Sequence, residues 1–285
     1  MEQKKFRTRV EALLIIIFLA ACSAQPPALP TTESPTIGTQ VPQTGETATV
    51  PPAAEPPAAT TEGSGMPVAG EGMCANAYYP VRQGATWTYK STGGPAGEYS
   101  FTDTITAVGQ DSFTLSTQIG SLTTLQDWNC TAEGLIAHQL GGAPAAMLNS
   151  QGIQMSLNAT NASGVLFPGQ INPGDSWLHT LDVAGSVSVA NEEGEAAGTV
   201  TMNFNAVGTE SVTVPAGTFE AMKLDVDTTL NVDVSYEGIT LPVAFSARHT
   251  YWFAPGVGWV KAIGTGNVLA TSFSETTELQ SYSIP

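Results

Sequence analysis

The sequence has little positive charge. Nine Lys and Arg stand against 25 Asp and Glu, for a net charge of −16 at pH 7. Four of those bases and two acids precede Cys22, so the chain from Cys22 onward carries −18 and only Arg82, Lys90, Lys223, Arg248 and Lys261 as bases. That balance excludes nucleic acid, which is bound by neutralising phosphates with Lys and Arg. It also excludes docking on anionic lipid through a basic patch. Histidine and cysteine are scarce, three of each. His138, His179 and His249 have no His or Cys two or four residues away, so no metal motif is present. No apolar run approaches the ~20 residues that a membrane-spanning helix needs.

One shorter apolar run is present. Met1–Arg9 holds Lys4, Lys5, Arg7 and Arg9, and Ala12–Ala20 follows as an apolar core. A basic start, a short apolar core and small residues at its exit make a secretory signal. The exit reads Leu19-Ala20-Ala21-Cys22, which resembles the lipobox of bacterial lipoproteins. The resemblance implies cleavage between Ala21 and Cys22, so that 1–21 is a signal peptide. It also implies a diacylglycerol thioether on Cys22 and an acylated new amino terminus. Several acyl chains anchor firmly where one holds only marginally. Ser23 follows, so the aspartate that retains some lipoproteins at the inner membrane is absent. The expected location is the extracytoplasmic face of a cell-envelope membrane.

Residues 22–67 read as a lipidated, disordered linker. Ten of the chain's 19 prolines lie between Ser23 and Pro67, among Thr, Ala, Glu and Gly. Such a stretch cannot bury enough apolar surface to offset the entropy of ordering, and its proline content makes it an extended spacer. With Cys22 lipidated, Cys74 and Cys130 remain, and an even pair in an exported chain reads as a disulfide.

Residues 68–285 read as an antiparallel β domain. From Met222 to Glu237 the even positions are mostly apolar and the odd ones polar, a period of two over a long strand. Glu237-Gly238 is a turn, and Ile239, Leu241, Val243, Phe245, Ala247, His249, Tyr251 and Phe253 return on one face. Leu181–Val189 is expected to pair with Val200–Ala206 across a polar turn at Asn191–Glu195. Tyr99–Ile105 is expected to pair with Phe113–Leu115 across Gly109–Asp111. The one helical candidate, Ala143–Ser150, is short. Strands this long exceed the usual five or six residues. They predict an all-β fold, a large antiparallel and strongly curved sheet of half-barrel or barrel type.

Four local patterns recur to the eye: Tyr78–Tyr89 with Gly84, Trp87 and Tyr89; Asn172–Trp177; Val212–Met222 with Val-Pro-Ala-Gly-Thr-Phe; and Tyr251–Lys261 with Tyr-Trp and Pro-Gly-Val-Gly. Together they resemble a loose group of uncharacterised exported bacterial proteins with an all-β domain, for which the resemblance implies no catalytic residues. The long strands also resemble the open half-barrels of periplasmic lipid carriers. In physical terms the motifs are turns, Pro fixing one φ and Gly accepting a positive one. Trp87, Trp177, Trp252 and Trp259 read as core or rim anchors.

Candidate chemistry is thin. Gly174-Asp-Ser-Trp177 resembles the opening block of Gly-Asp-Ser-Leu hydrolases, which would make Ser176 a nucleophile. The Asp-x-x-His and the α/β pattern of those enzymes are missing, and Pro173-Gly-Asp-Ser176 is a good turn. Asp225, Asp227, Asp233, Glu192, Glu193 and Glu195 lack the spacing of a calcium loop and read as a solvated strand face. No cofactor motif is present. The reading is a non-enzymatic, membrane-anchored module that binds a lipid or other apolar ligand. The alternative is a surface interaction or structural protein displayed on a long tether.

Overall fold

The computed structural model describes residues 72–94, 96–139, 153–189, 192–268 and 271–285. The chain divides into two units, Met1–Thr60 and Thr61–Pro285, and every described residue belongs to the second. Ala21, Cys22, the linker and the helical candidate Ala143–Ser150 lie outside the described residues.

After a 3-10 turn at Gly72–Cys74 come thirteen strands: β1 (Thr86–Gly94), β2 (Gly97–Val108), β3 (Ser112–Ile119), β4 (Leu122–Cys130), β5 (Gly134–Ala137), β6 (Ile153–Ser163), β7 (Phe167–Pro168), β8 (Ser176–Val189), β9 (Glu192–Val214), β10 (Gly217–Tyr236), β11 (Ile239–Ala254), β12 (Gly258–Val268) and β13 (Thr271–Ser283). They form one antiparallel sheet in the order β6-β8-β9-β10-β11-β12-β13-β1-β2-β3-β4-β5-β7. The domain is therefore all-β, and the sheet curls into a half-barrel. Its edges meet along a short seam. Gln139, just past β5, bridges Asn158 of β6. Ala159 N–H donates to His138 O at 2.9 Å, and Leu166 N–H donates to Leu135 O at 2.9 Å.

The alternation along β10 follows the sequence pattern. Met222, Leu224, Val226, Leu230 and Val232 are buried and the odd residues between them point outward. The tight turn to β11 has positive φ at both Glu237 (46°) and Gly238 (80°), the backbone hand that matches the twist of a two-residue hairpin. One expectation is corrected. Glu192–Glu195 is not a turn but the start of β9, with Glu192 opposite Val189 and Glu195 opposite Ser186. Alternation continues there through Gly194 and Ala196, both buried. Glu193 and Glu195 occupy outward positions, where charge is compatible with a strand, and Glu192 lies exposed at the strand's end on the face of Gly194 and Ala196.

Two apolar clusters fill the inside. The larger one gathers β1–β5, β7 and parts of β9–β13 around Tyr89, Ile105, Leu135, Leu224, Val260 and Leu279, all essentially without solvent contact. The smaller one lies on the long strands that rise past this base, with Leu157, Leu181, Val200, Leu230 and Val232. Leu157 on β6 and Leu230 on β10 share that cluster although two strands separate them, which requires a strong curl. Cys74 and Cys130 are disulfide-bonded with Cα atoms 5.0 Å apart, tying the chain entering the domain to the end of β4.

Candidate functional site

The recurring motifs converge on the base. Trp87 donates its indole N–H to Val257 O at 2.6 Å in the Pro-Gly-Val-Gly turn. Gly258 approaches the same indole so closely that an added Cβ would lie 3.5 Å from its nitrogen. Tyr89 donates to Trp259 O at 3.0 Å, and the two rings stack with centroids 3.8 Å apart. Ala216, in the Val-Pro-Ala-Gly turn, donates its N–H to Leu279 O at 3.1 Å. These motifs are load points of the closed end. Trp128, not singled out in the sequence reading, is buried there too, stacked on Phe113.

The Gly-Asp-Ser-Trp block is a turn and strand start. Asp175 accepts the Asn172 N–H at 2.7 Å, and Ser176 Oγ meets Asn205 Oδ1 at 3.3 Å on the outer surface. Ser176 is exposed and His179, three residues on, is fully buried on the opposite face of β8. The two cannot act as nucleophile and base. His179 Nδ1 lies 3.3 Å from Gly164 O, while its buried Nε2 has no partner among the described residues. Burial holds this imidazole below its ordinary pKa, so it is neutral at pH 7. His138 sits at the seam, 3.0 Å from Asp127 O through its backbone N–H.

Among the acidic strand residues, Asp225, Asp227 and Asp233 occupy outward positions of β10 and Glu192 the exposed end of β9. Asp227 takes a two-pronged hydrogen bond from Arg248, at 2.7 and 2.9 Å. Asp225 accepts Thr250 Oγ1–H at 2.7 Å, and Glu192 accepts the Tyr236 hydroxyl at 2.6 Å. Among the described residues no three His, Cys, Asp or Glu converge as metal ligands.

The inward face carries a polar cluster that the sequence reading passed over. Ser91 on β1, Tyr99 on β2 and Glu275 on β13 meet there. Ser91 Oγ–H and the Tyr99 hydroxyl both donate to Glu275 Oε1, the second at 2.9 Å, and Thr277 Oγ1 donates to Ser91 Oγ at 3.1 Å. Strand register adds two aromatic neighbours. His249 and Glu275 flank Gly264 on either side, and Tyr251 and Thr277 flank Ala262. A Cβ on Gly264 would fall 2.7 Å from the His249 ring, so that ring lies across the glycine, toward Glu275. The Glu275 charge pulls the His249 pKa up against a larger lowering by burial. Burial, with Glu275 adding to it, pushes Tyr251 up to about 12. Neither the His249 ring nor the Tyr251 hydroxyl makes a hydrogen bond among the described residues, and both are only half-buried. The signal was in the sequence: Ser91, Asp103, Glu275 and Thr277 occupy inward positions of strands whose other inward residues are apolar.

Below this layer the base is packed with side chains. Asp103 is buried there, accepts Thr117 Oγ1–H at 2.6 Å, and desolvation raises its pKa to about 6. Above it β11 continues inward with Ala247, Phe245, Val243, Leu241 and Ile239. Along that row Ala247 is buried, Phe245 and Val243 are half-buried, and Leu241 and Ile239 are 52% and 45% exposed. A separate cleft of about 380 Å³ lies outside the barrel interior, beside the disulfide, lined by Met73, Asn76, Leu135 and small residues.

Residues 130–264 match the model of a family described as DUF3108-like. No curated protein matches. Among solved structures, a provisionally assigned exported protein with YmcC-like fold from Bacteroides fragilis aligns at 16% identity and TM-score 0.46, over 73% of this chain and 100% of that one. A provisionally assigned lipoprotein from Parabacteroides distasonis aligns at 13% and 0.42, over 73% and 99%. The hypothetical lipoprotein YmcC from Escherichia coli K12 aligns at 12% and 0.30, over 70% and 85%.

Proposed function

We propose that this chain is an exported lipoprotein, anchored through Cys22, whose β domain binds an apolar ligand without catalysis. The leader, the lipobox-like Leu19–Cys22 and the linker 22–67 support the anchor. One observation carries the binding reading: the inward row of β11 is half-buried at Phe245 and Val243 and exposed at Leu241 and Ile239. Exposed leucine and isoleucine on a concave face, continuous with a packed interior, are the wall of a groove. The test is titration of the full chain with the neutral apolar dye N-phenyl-1-naphthylamine. Saturable binding by the wild type, lost in Leu241→Glu, supports the groove. No saturable binding removes it. For the anchor, Cys22→Ala is expected to move the protein from the membrane to the soluble fraction, and retention of the variant at the membrane would count against lipidation.

The alternative, a surface interaction protein, has its own observation. β11 pairs β12 only from Ser246 onward, so among the described residues Ile239–Phe245 has a neighbour on one side alone. A free strand edge is a template for a partner strand. Capture of an envelope protein that Pro242→Val alters and Leu241→Glu does not would favour it.

A further inference from the structure

All five bases of the described chain lie away from the half-barrel's inside. Lys90, Lys223 and Lys261 project outward to Glu98, Glu210 and Glu278, at 2.9, 3.8 and 2.9 Å. Arg248 projects outward to Asp227, and Arg82 is exposed in the loop before β1. The inward face nevertheless holds carboxyl groups: Glu192 at the far end of β9, bonded by Tyr236, and Glu275 and Asp103 toward the base. Glu275 is half-buried, and its hydrogen-bond partners are the neutral hydroxyls of Ser91 and Tyr99, both on one oxygen. A carboxylate withdrawn from water without a cationic partner is costly, and it favours a cation brought by something else. Next to it by register stand the Tyr251 and His249 rings, and Tyr99 reaches it through its hydroxyl. Aromatic faces with a carboxylate are the surroundings that hold an ammonium group. Phosphate or sulfate would find no Lys or Arg here and would meet the charge of Glu275.

The position in the groove matters as much as the chemistry. Tyr251 and His249 are the half-buried residues of the β11 inward row next above the buried Phe253, and the buried Ala247 separates them from the apolar residues that follow. From His249 to Leu241 the strand rises about 26 Å at ~3.3 Å per residue. A long alkyl chain lying along it would bring its head to Glu275.

We propose that Glu275, flanked by Tyr99, His249 and Tyr251, is the head-group site for a cationic amphiphile, an alkyl chain ending in an ammonium group. This rests on the apolar groove proposed above and adds the class of ligand. It separates the ligand from phosphate-headed lipids, which the composition of the face disfavours.

The experiment compares dodecyltrimethylammonium with dodecyl phosphate, each below its micelle-forming concentration. The full chain, left unlipidated by Cys22→Ala, is titrated by calorimetry. The ammonium probe is expected to bind at least about tenfold more tightly, the order that one desolvated cation contact supplies. Glu275→Gln, which keeps the shape and the Ser91 and Tyr99 contacts, should bring the two probes level. Phe245→Glu, four residues and about 13 Å up the row from His249, weakens contact with the alkyl chain and should lower affinity for dodecyl phosphate. Equal binding of both probes by the wild type, or a preference unchanged in Glu275→Gln, would overturn the head-group site while leaving the groove standing. If neither probe nor the neutral dye binds, the groove itself is wrong and the head-group site goes with it.

Discussion

At the scale of single residues, two buried groups make opposite demands. Trp87 is packed against the Pro-Gly-Val-Gly turn and its N–H satisfies Val257 O. Trp87→Phe leaves that carbonyl unpaired and should destabilise the domain by about 2–3 kcal/mol, read from urea unfolding. Asp103 acts in the other sense. Its folded pKa of about 6 lies above the ordinary 3.8. Below pH 4 the carboxyl is protonated both folded and unfolded and costs nothing. As pH rises through 4 to 6 the unfolded chain releases the proton first, so stability falls, and the loss is complete once the folded pKa is passed. Asp103→Asn should therefore stabilise the domain at pH 7.5 by about 2–3 kcal/mol and change little at pH 4. A variant equally or less stable than wild type at pH 7.5 would mean that Asp103 is held ionised by a partner.

Among the elements, the β10–β11 hairpin carries the account. Its pairing, turn and inward row were legible because period two persisted without a break from Met222 to Phe253, and Glu237-Gly238 is a turn by composition. The β8–β9 connection was misread because a run of glutamates looks like a turn, although outward strand positions tolerate them. The inward polar cluster was not legible as a site. Its members lie on β1, β2, β11 and β13, far apart in sequence, and only the register of the curled sheet brings Ser91, Tyr99 and Glu275 together. His249 was legible only as a member of the β11 inward row, and its place across Gly264 from Glu275 is set by the register. The free edge of β11 contains Pro242, opposite Asp233. Proline offers no N–H to an incoming strand and blunts an edge. Pro242→Val is expected to leave stability within ~0.5 kcal/mol, as for most exposed changes, and to raise self-association with concentration in light scattering.

Over the molecule as a whole, the disulfide and the sheet divide the labour. Cys74 and Cys130 are 56 residues apart, and closing a loop of that size restricts the unfolded chain by ~4 kcal/mol in the chain-entropy account. Replacing both by serine should lower stability by an amount of that order. The groove should keep its dye affinity at temperatures where the variant stays folded, since Phe245 packs with the smaller apolar cluster and the Cys74–Cys130 pair belongs to the larger one. The outer face carries Lys90, Lys223 and Lys261, paired with Glu98, Glu210 and Glu278. The inner face is apolar above and acidic at its floor. The most direct measurement is mass spectrometry of organic extracts from the full chain made in a bacterial envelope, wild type beside Leu241→Glu. An amine-bearing amphiphile, stoichiometric in the wild type and absent from the variant, is the predicted result. Extracts that are empty, or identical for the two proteins, would contradict it.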